Sequence, residues 1–193
     1  EIRRGRSAKT ITISQPVFIA KLYERYKDKI TDICSTPYGT AEQCVAFDRM
    51  AEAKEGDAVD VSDYLSLVCS CWWPIMQTRP DGLYAASKLM SFCQAPGAEH
   101  YGAALRLLGY LYATRKMGIT YGGQLRLPAG LLRFPDRFHE SYGMHTYTDS
   151  SWGREPRPFG GHVIILNNGA VNWKGGRLGS VPDSSCEAET ETT

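Results

Sequence analysis

Polar and apolar side chains alternate over residues 8–14, Ala-Lys-Thr-Ile-Thr-Ile-Ser, which predicts a β-strand with one buried face. The period then lengthens. Pro16 opens a helix in which Phe18, Leu22 and Tyr26 fall four residues apart with Ile19 and Tyr23 beside them, so an apolar stripe runs from Pro16 to Lys27. Residues 31–60 lose this order and carry Thr-Pro and Glu-Gly-Asp punctuation; they read as a long connector with little core of its own.

Helical spacing returns at Ser62-Asp63-Tyr64. Ser62 is placed to cap the free amides, Leu65, Val68 and Trp72 continue one face, and Pro74 stops or kinks the helix. A second helix follows from Pro80 to about Gln94 with Leu83, Ser87 and Met90 on one face and Ala86 beside them. A third runs from Ala98 to Met117, with Tyr101, Leu105, Leu108 and Tyr112 aligned and Gly118 as a left-handed cap. Short intervals make these helices antiparallel neighbours.

From residue 143 the period is that of strands. His145 to Asp149, His162 to Leu166 and Ala170 to Lys174 are three β-prone runs, the last two joined by Asn167-Asn168-Gly169, a tight-hairpin signal. Ser184-Ser185 then precedes Cys186-Glu187-Ala188-Glu189, a helix start with capping hydroxyls and first-turn acids that suit the helix dipole. The fold class is therefore α+β.

The chain has 193 residues and a formal charge of +1. Near-neutrality argues against a whole-surface nucleic-acid binder, so any phosphate contact must be local. Arg3, Arg4, Arg6 and Lys9 form one such cluster, although a short basic run is more often a solvated end, and Lys174 and Arg177 form a second. The six cysteines show no Cys-x-x-Cys and no His at zinc-finger spacing, so they read as reduced small hydrophobes, with Cys69 and Cys71 on different faces of one helix. No window approaches the roughly 18 apolar residues of a membrane span. The chain reads as intracellular, cytoplasmic or nuclear, without a membrane partner. His100, His139, His145 and His162 show no ligand spacing.

An ordered series of motifs carries a family resemblance. Thr12-Ile13-Ser14-Gln15 with Phe18 to Leu22, then Thr36-Pro37, Tyr64 to Ser70, Thr78-Arg79-Pro80-Asp81, and His100-Tyr101 with Ala103 to Leu111 resemble successive segments of the Pol polyprotein of copia-type LTR retrotransposons. Tyr147 to Trp152, Gly160 to Val163, Val171 to Lys174 and Ser184 to Glu189 resemble the first three strands and the opening of the first helix of that polyprotein's ribonuclease H domain. The resemblance implies a reverse transcriptase tail with thumb and linker over 1–60, a helical connection over 61–122, and an incomplete ribonuclease H-like domain over 123–193. That last domain would be a three-stranded antiparallel meander with the start of its helix.

The parental class implied is an RNA-directed DNA polymerase and ribonuclease H acting on RNA/DNA hybrids, with the rest of the Pol polyprotein as partner. Ribonuclease H chemistry uses two divalent ions, Mg²⁺ or Mn²⁺, held by carboxylates. By resemblance Asp149 and Glu189 are catalytic and metal-ligating, with Glu187 as the alternative register. An Asp after a strand is also an ordinary turn residue, and acids in a first helical turn also complement the dipole. The family's other carboxylates are expected beyond residue 193 and the polymerase aspartates before residue 1, so the chain is expected to be inactive alone. Trp73-Pro74, Pro182-Asp183 and Thr190 depart from the family pattern. The rival reading is a noncatalytic nucleic-acid or protein interaction module derived from a transposon.

Overall fold

A computed structural model describes residues 1–31, 33–50, 59–126, 142–151, 158–182 and 184–191. The Glu55-Gly56-Asp57 punctuation, His139, Trp152 and Asp183 lie outside the described residues, as does the side chain of Cys186. The chain divides into a helical unit, Ser14–Gly118, and a sheet unit formed by Glu1–Ile13 with Ile119–Thr193. Helices together with antiparallel three-stranded sheets make this an α+β protein.

In the helical unit, α1 spans Pro16–Tyr26 with its proline in the first turn, where the missing amide proton costs nothing. Its buried line is Ile19, Leu22 and Tyr26. Phe18, placed on the stripe by spacing alone, is 38% exposed. The connector is more ordered than its composition implies. Within it α2, Ala41–Asp48, begins with a capping box in which Thr40 and Gln43 satisfy each other's backbone amides. Phe47 of α2 is 2% exposed, so this segment does contribute core, through a single aromatic that periodicity cannot flag.

The next helix, α3, spans Val61–Thr78. Its cap is Asp60, whose Oδ1 accepts the Ser62 amide at 2.9 Å, and not Ser62 itself. Pro74 neither stops nor ends it. It sits inside the helix and is buried, as are Cys71, Ile75 and Thr78 of the same helix, although proline donates no backbone hydrogen bond. The buried face is Tyr64, Leu67, Val68, Cys71 and Ile75; Leu65 and Trp72 lie off it. After a 3₁₀ turn at Pro80–Gly82, α4 spans Leu83–Met90 and turns follow to Gln94. Then α5 spans Ala98–Ala113. It ends at Thr114, and Gly118 is not among the left-handed glycines; the Thr114 amide closes on Tyr110 O at 3.0 Å instead. Helices α3, α4 and α5 pack on one another, and α1 packs on α5, around Leu67, Leu89, Leu107, Leu108 and Leu111, each 0% exposed.

In the sheet unit, β1 (Ile2–Gly5), β2 (Thr10–Ile13) and β3 (Ile119–Gly122) form one antiparallel sheet in that order. The expected strand over 8–14 is β2; its two partners went unforeseen, because four residues are too few for alternation to register. The second sheet is the expected meander: β4 (His145–Ser150), β5 (Phe159–Leu166) and β6 (Gly169–Arg177), in order. The β5–β6 hairpin turns on Asn167 and Asn168, with φ of 50° and 69°, so the two asparagines supply the left-handed pair. Gly169 already belongs to β6 and answers a different need. A Cβ there would meet the Tyr121 ring, 2.6 Å from Cε1. Finally α6, Ser185–Glu191, packs against β4 and β5, with the Glu187 amide donating to Ser184 Oγ at 3.2 Å, the capping its sequence implies.

Candidate functional site

Asp149 lies near the end of β4, in register with Gly161 of β5, which pairs in turn with Gly175 of β6. Side chains alternate across a sheet, so Asp149 shares its face with Tyr147, Phe159, Val163, Trp173 and Arg177, and its own row is floored by two glycines. The carboxylate is exposed, and its Oδ1 accepts the Ser150 amide at 2.9 Å. Glu189 stands on α6, the helix packed on the strand that carries Asp149.

Ala188 of α6 is fully buried. At about 100° per residue, Glu187 and Glu189 flank it on either side, and both are exposed. The fold thus sets the helix of Glu189 beside the strand of Asp149. Mg²⁺ takes near-octahedral oxygen coordination and a two-ion site needs several carboxylates. Among the described residues no group of three or more His, Cys, Asp and Glu could hold a metal ion.

The basic residues are spread rather than massed. Arg3 and Arg4 are consecutive in β1 and project to opposite faces: Arg3 is in line with Thr12 and Thr120, Arg4 with Ile11 and Tyr121. Arg3 Nε lies 3.5 Å from Glu1 Oε1 in a half-exposed pair. Arg6 and Lys9 belong to the β1–β2 turn, where Lys9 takes φ of 52° and its amide meets Arg6 O at 3.4 Å. Lys174 stands in the row of Thr148 and His162, while Arg177 pairs with Phe159 and its guanidinium lies 5.6 Å from that ring. Lys174 and Arg177 consequently occupy opposite faces, and Arg177 alone shares the face of Asp149.

The Thr-Arg-Pro-Asp motif forms a polar network that sequence reasoning treated only as a family marker. Arg79 is 1% exposed and grips Asp81 in a bidentate pair, Nε to Oδ1 at 2.9 Å and Nη2 to Oδ2 at 2.7 Å. It also donates to Thr114 O at 3.1 Å and Thr114 Oγ1 at 2.6 Å. Tyr110 completes the set, donating to Asp81 Oδ2 at 2.6 Å. Burial by itself would raise the Asp81 pKa, but the hydrogen bonds from Arg79 and Tyr110 outweigh it and hold the carboxyl below its ordinary value. The spacing of Arg and Asp across one proline was the available signal.

A second, partly exposed cluster joins the 3₁₀ turn Lys27–Lys29, which follows α1, to α3 and α5. Lys29 Nζ donates to Asp63 Oδ2 at 2.8 Å and to Tyr101 Oη at 2.9 Å, and Tyr101 donates to the same carboxylate oxygen at 2.7 Å. The hydrogen bond from Lys29, then that from Tyr101, lower the Asp63 pKa. His100 is buried; its Nδ1 accepts the Gly97 amide at 2.8 Å and its ring stacks on Phe92 at 4.1 Å. It is a core residue. His162 Nε2 lies 3.2 Å from Asn172 Oδ1 and His145 Nδ1 lies 3.0 Å from Gly143 O. The five described cysteines are free thiols, Cys69 exposed and Cys71 buried. Burial pushes the Cys71 thiol up to about 12.

Among the described residues no helix is long and apolar enough to cross a membrane. No family model matches the chain, and no solved structure matches it. Curated proteins do. The transposon Ty5-1 protein of Saccharomyces cerevisiae is 30% identical over 185 residues, which cover 93% of this chain and 53% of that protein. The retrovirus-related Pol polyprotein from transposon TNT 1-94 of Nicotiana tabacum is 25% identical over 193 residues, 98% of this chain and 13% of its own length. That from transposon RE1 of Arabidopsis thaliana is 29% identical over 133 residues, 67% of this chain and 8% of the polyprotein. The chain thus spans about half of the yeast protein and a small part of the plant polyproteins.

Proposed function

The chain belongs with the retrotransposon Pol polyproteins, and we propose that it corresponds to the copia-type reverse transcriptase tail, its connection, and the opening of the ribonuclease H domain. The observation that carries this reading is the sheet of β4, β5 and β6 with α6 packed on β4 and β5. That arrangement supports the assignment because it puts Asp149 on the first strand of a meander and Glu189 on the helix beside it, the positions the resemblance implies.

The ancestral activity in this reading is reverse transcription with removal of RNA from RNA/DNA hybrids, using Mg²⁺ or Mn²⁺ held by a carboxylate cluster. The chain itself is inactive in this reading, because Asp149 and Glu189 fall short of the donors that two ions require. The test is incubation of this chain with a labelled RNA/DNA hybrid and Mg²⁺ or Mn²⁺, beside an Asp149→Asn variant. No cleavage by either protein is expected. Cleavage that Asp149→Asn abolishes would overturn the inactivity and support the site. Tight binding of hybrid without cleavage, unchanged by Asp149→Asn, would favour a noncatalytic interaction module instead.

A further inference from the structure

Helix α3 is apolar on two faces. One face, from Tyr64 to Ile75, is buried in the helical unit. At about 100° per residue, Val61, Leu65, Cys69, Trp72, Trp73 and Met76 fall within a second arc of about 120°, and none of these six is buried. Val61 is 40%, Leu65 36% and Trp73 53% exposed. A half-exposed tryptophan in an aliphatic stripe is the composition of an interface centre.

We propose that two copies of this chain associate through this stripe, with their α3 helices antiparallel about a two-fold axis at Cys69. Three observations select a second copy as the occupant. The first is charge: from Val61 to Thr78 the only charged residue is Asp63, and that carboxylate is engaged by Lys29. A membrane-surface helix needs a Lys/Arg rim beside its apolar face, and a nucleic-acid surface needs cations; α3 supplies neither, while a copy of itself meets no like-charge conflict.

The second is self-complementarity, which any two-fold interface requires. Cys69 is the midpoint of the stripe. An axis there sets Leu65 opposite Trp73 of the second copy as an apolar pair, and the small Ser62 and Ser66 opposite the bulky Met76 and Trp72. The third is area. The six side chains leave roughly 400 Å² per copy to be covered, about half of the roughly 800 Å² per partner in a stable complex. That magnitude fits a weak, reversible dimer and not a permanent one.

The experiment is sedimentation equilibrium of the whole chain from about 5 to 500 μM under reducing conditions, with Trp73→Ala and Leu65→Asp variants whose folding is checked by circular dichroism. The expected result is a monomer–dimer equilibrium whose dissociation constant rises at least about tenfold in both variants. A parallel arm uses diamide. At the two-fold axis two Cys69 thiols lose two protons and two electrons to diamide, which becomes the hydrazine, and one Sγ–Sγ bond forms. A covalent dimer linked at Cys69, absent in Cys69→Ser although reversible association persists, is expected.

A chain monomeric at every concentration overturns the proposal. So do cross-links running through Cys34, Cys44 or Cys93, or association untouched by Trp73→Ala and Leu65→Asp. Binding to phosphatidylcholine vesicles with a blue shift of tryptophan emission, without self-association, would assign the stripe to a lipid surface and overturn it equally.

Discussion

Asn168, at the tip of the β5–β6 hairpin, clamps the chain that leaves β3: its Nδ2 donates to Gly122 O at 3.0 Å and to Gln124 O at 2.9 Å. Its Oδ1 accepts the Arg126 amide at 2.9 Å, and next to it Asn167 O accepts the Gly122 amide at 2.8 Å. One side chain therefore serves three backbone groups while its own backbone holds the left-handed conformation the turn requires. With Tyr121 donating to Ala170 O at 2.7 Å, this clamp ties the two sheets of the unit together.

Replacing Asn168 by Ala removes three hydrogen bonds and places a less suitable residue at positive φ. Net hydrogen bonds contribute about 0.5–1.5 kcal/mol each, and partial exposure puts the sum near the lower end, so Asn168→Ala should cost about 2 kcal/mol. Asn168→Gly should cost less, because it keeps the backbone freedom. Urea unfolding of the three proteins checks this. Equal loss in both variants would assign the effect to the side-chain bonds alone.

The Arg79–Asp81 pair makes a pH prediction. Asp81 has its folded pKa lowered, so the unfolded chain binds a proton more readily than the folded one. The stability from this group is fully present above the unfolded carboxyl value of about 4 and is lost as pH falls through the folded value. Stability measured between pH 6 and pH 2 should therefore fall less steeply in Asp81→Asn than in the parent protein. At neutral pH the same variant leaves the buried Arg79 without its charge partner and should cost about 3 kcal/mol. Arg79→Met, which removes the charge and keeps the bulk, should cost less than Arg79→Ala.

The sheet of β4, β5 and β6 should exchange its amides faster than α5. Its central strand, β5, has Phe159 as its one buried residue, whereas α5 buries nine of its residues, His100 to Leu111. Low burial and an open edge mean low local stability. Hydrogen exchange read by mass spectrometry should show residues 145–174 losing protection before 98–113; the reverse order would contradict it.

Long periodic elements were legible in the sequence because each buries a face. The helices starting at Pro16 and Ala98 and the three strands of the meander lie where spacing puts them. What escaped has local causes. The capping box of Thr40 and Gln43 and the lone aromatic Phe47 carry no period. Pro74 is buried inside α3, a position that a one-dimensional rule reads as a stop or a kink. The face of α3 was misread because the helix has two apolar arcs, so Leu65 and Trp72 counted as core. At the candidate site, Asp149 and Glu189 were legible only through resemblance, since one acid on a strand and one on a helix have no spacing of their own. The partition of Arg3 from Arg4, and of Lys174 from Arg177, followed from strand register, which the chain order of the cations does not reveal.

That partition fixes the last prediction, which concerns nucleic acid. Phosphate neutralisation releases counterions, and the binding constant falls with salt by a log–log slope of about −0.9 for each phosphate contacted on duplex DNA. Arg3 and Arg4 point to opposite faces of their sheet and Arg3 is shared with Glu1; Lys174 and Arg177 point to opposite faces of theirs. A single surface thus collects two or three of the six cations, and the slope should be no steeper than about −3. Sequence preference should be absent, with at most a slight preference for RNA/DNA hybrid through groove shape and 2′-hydroxyl contacts. Titrations of hybrid, duplex DNA and single strands at several salt concentrations measure this. The triple variant Arg3→Ala, Arg4→Ala, Arg6→Ala should flatten the slope by about one to two units, and Lys174→Ala should change it by no more than about one. Binding that persists at high salt, or that discriminates between sequences, would require a recognition surface these cations do not form.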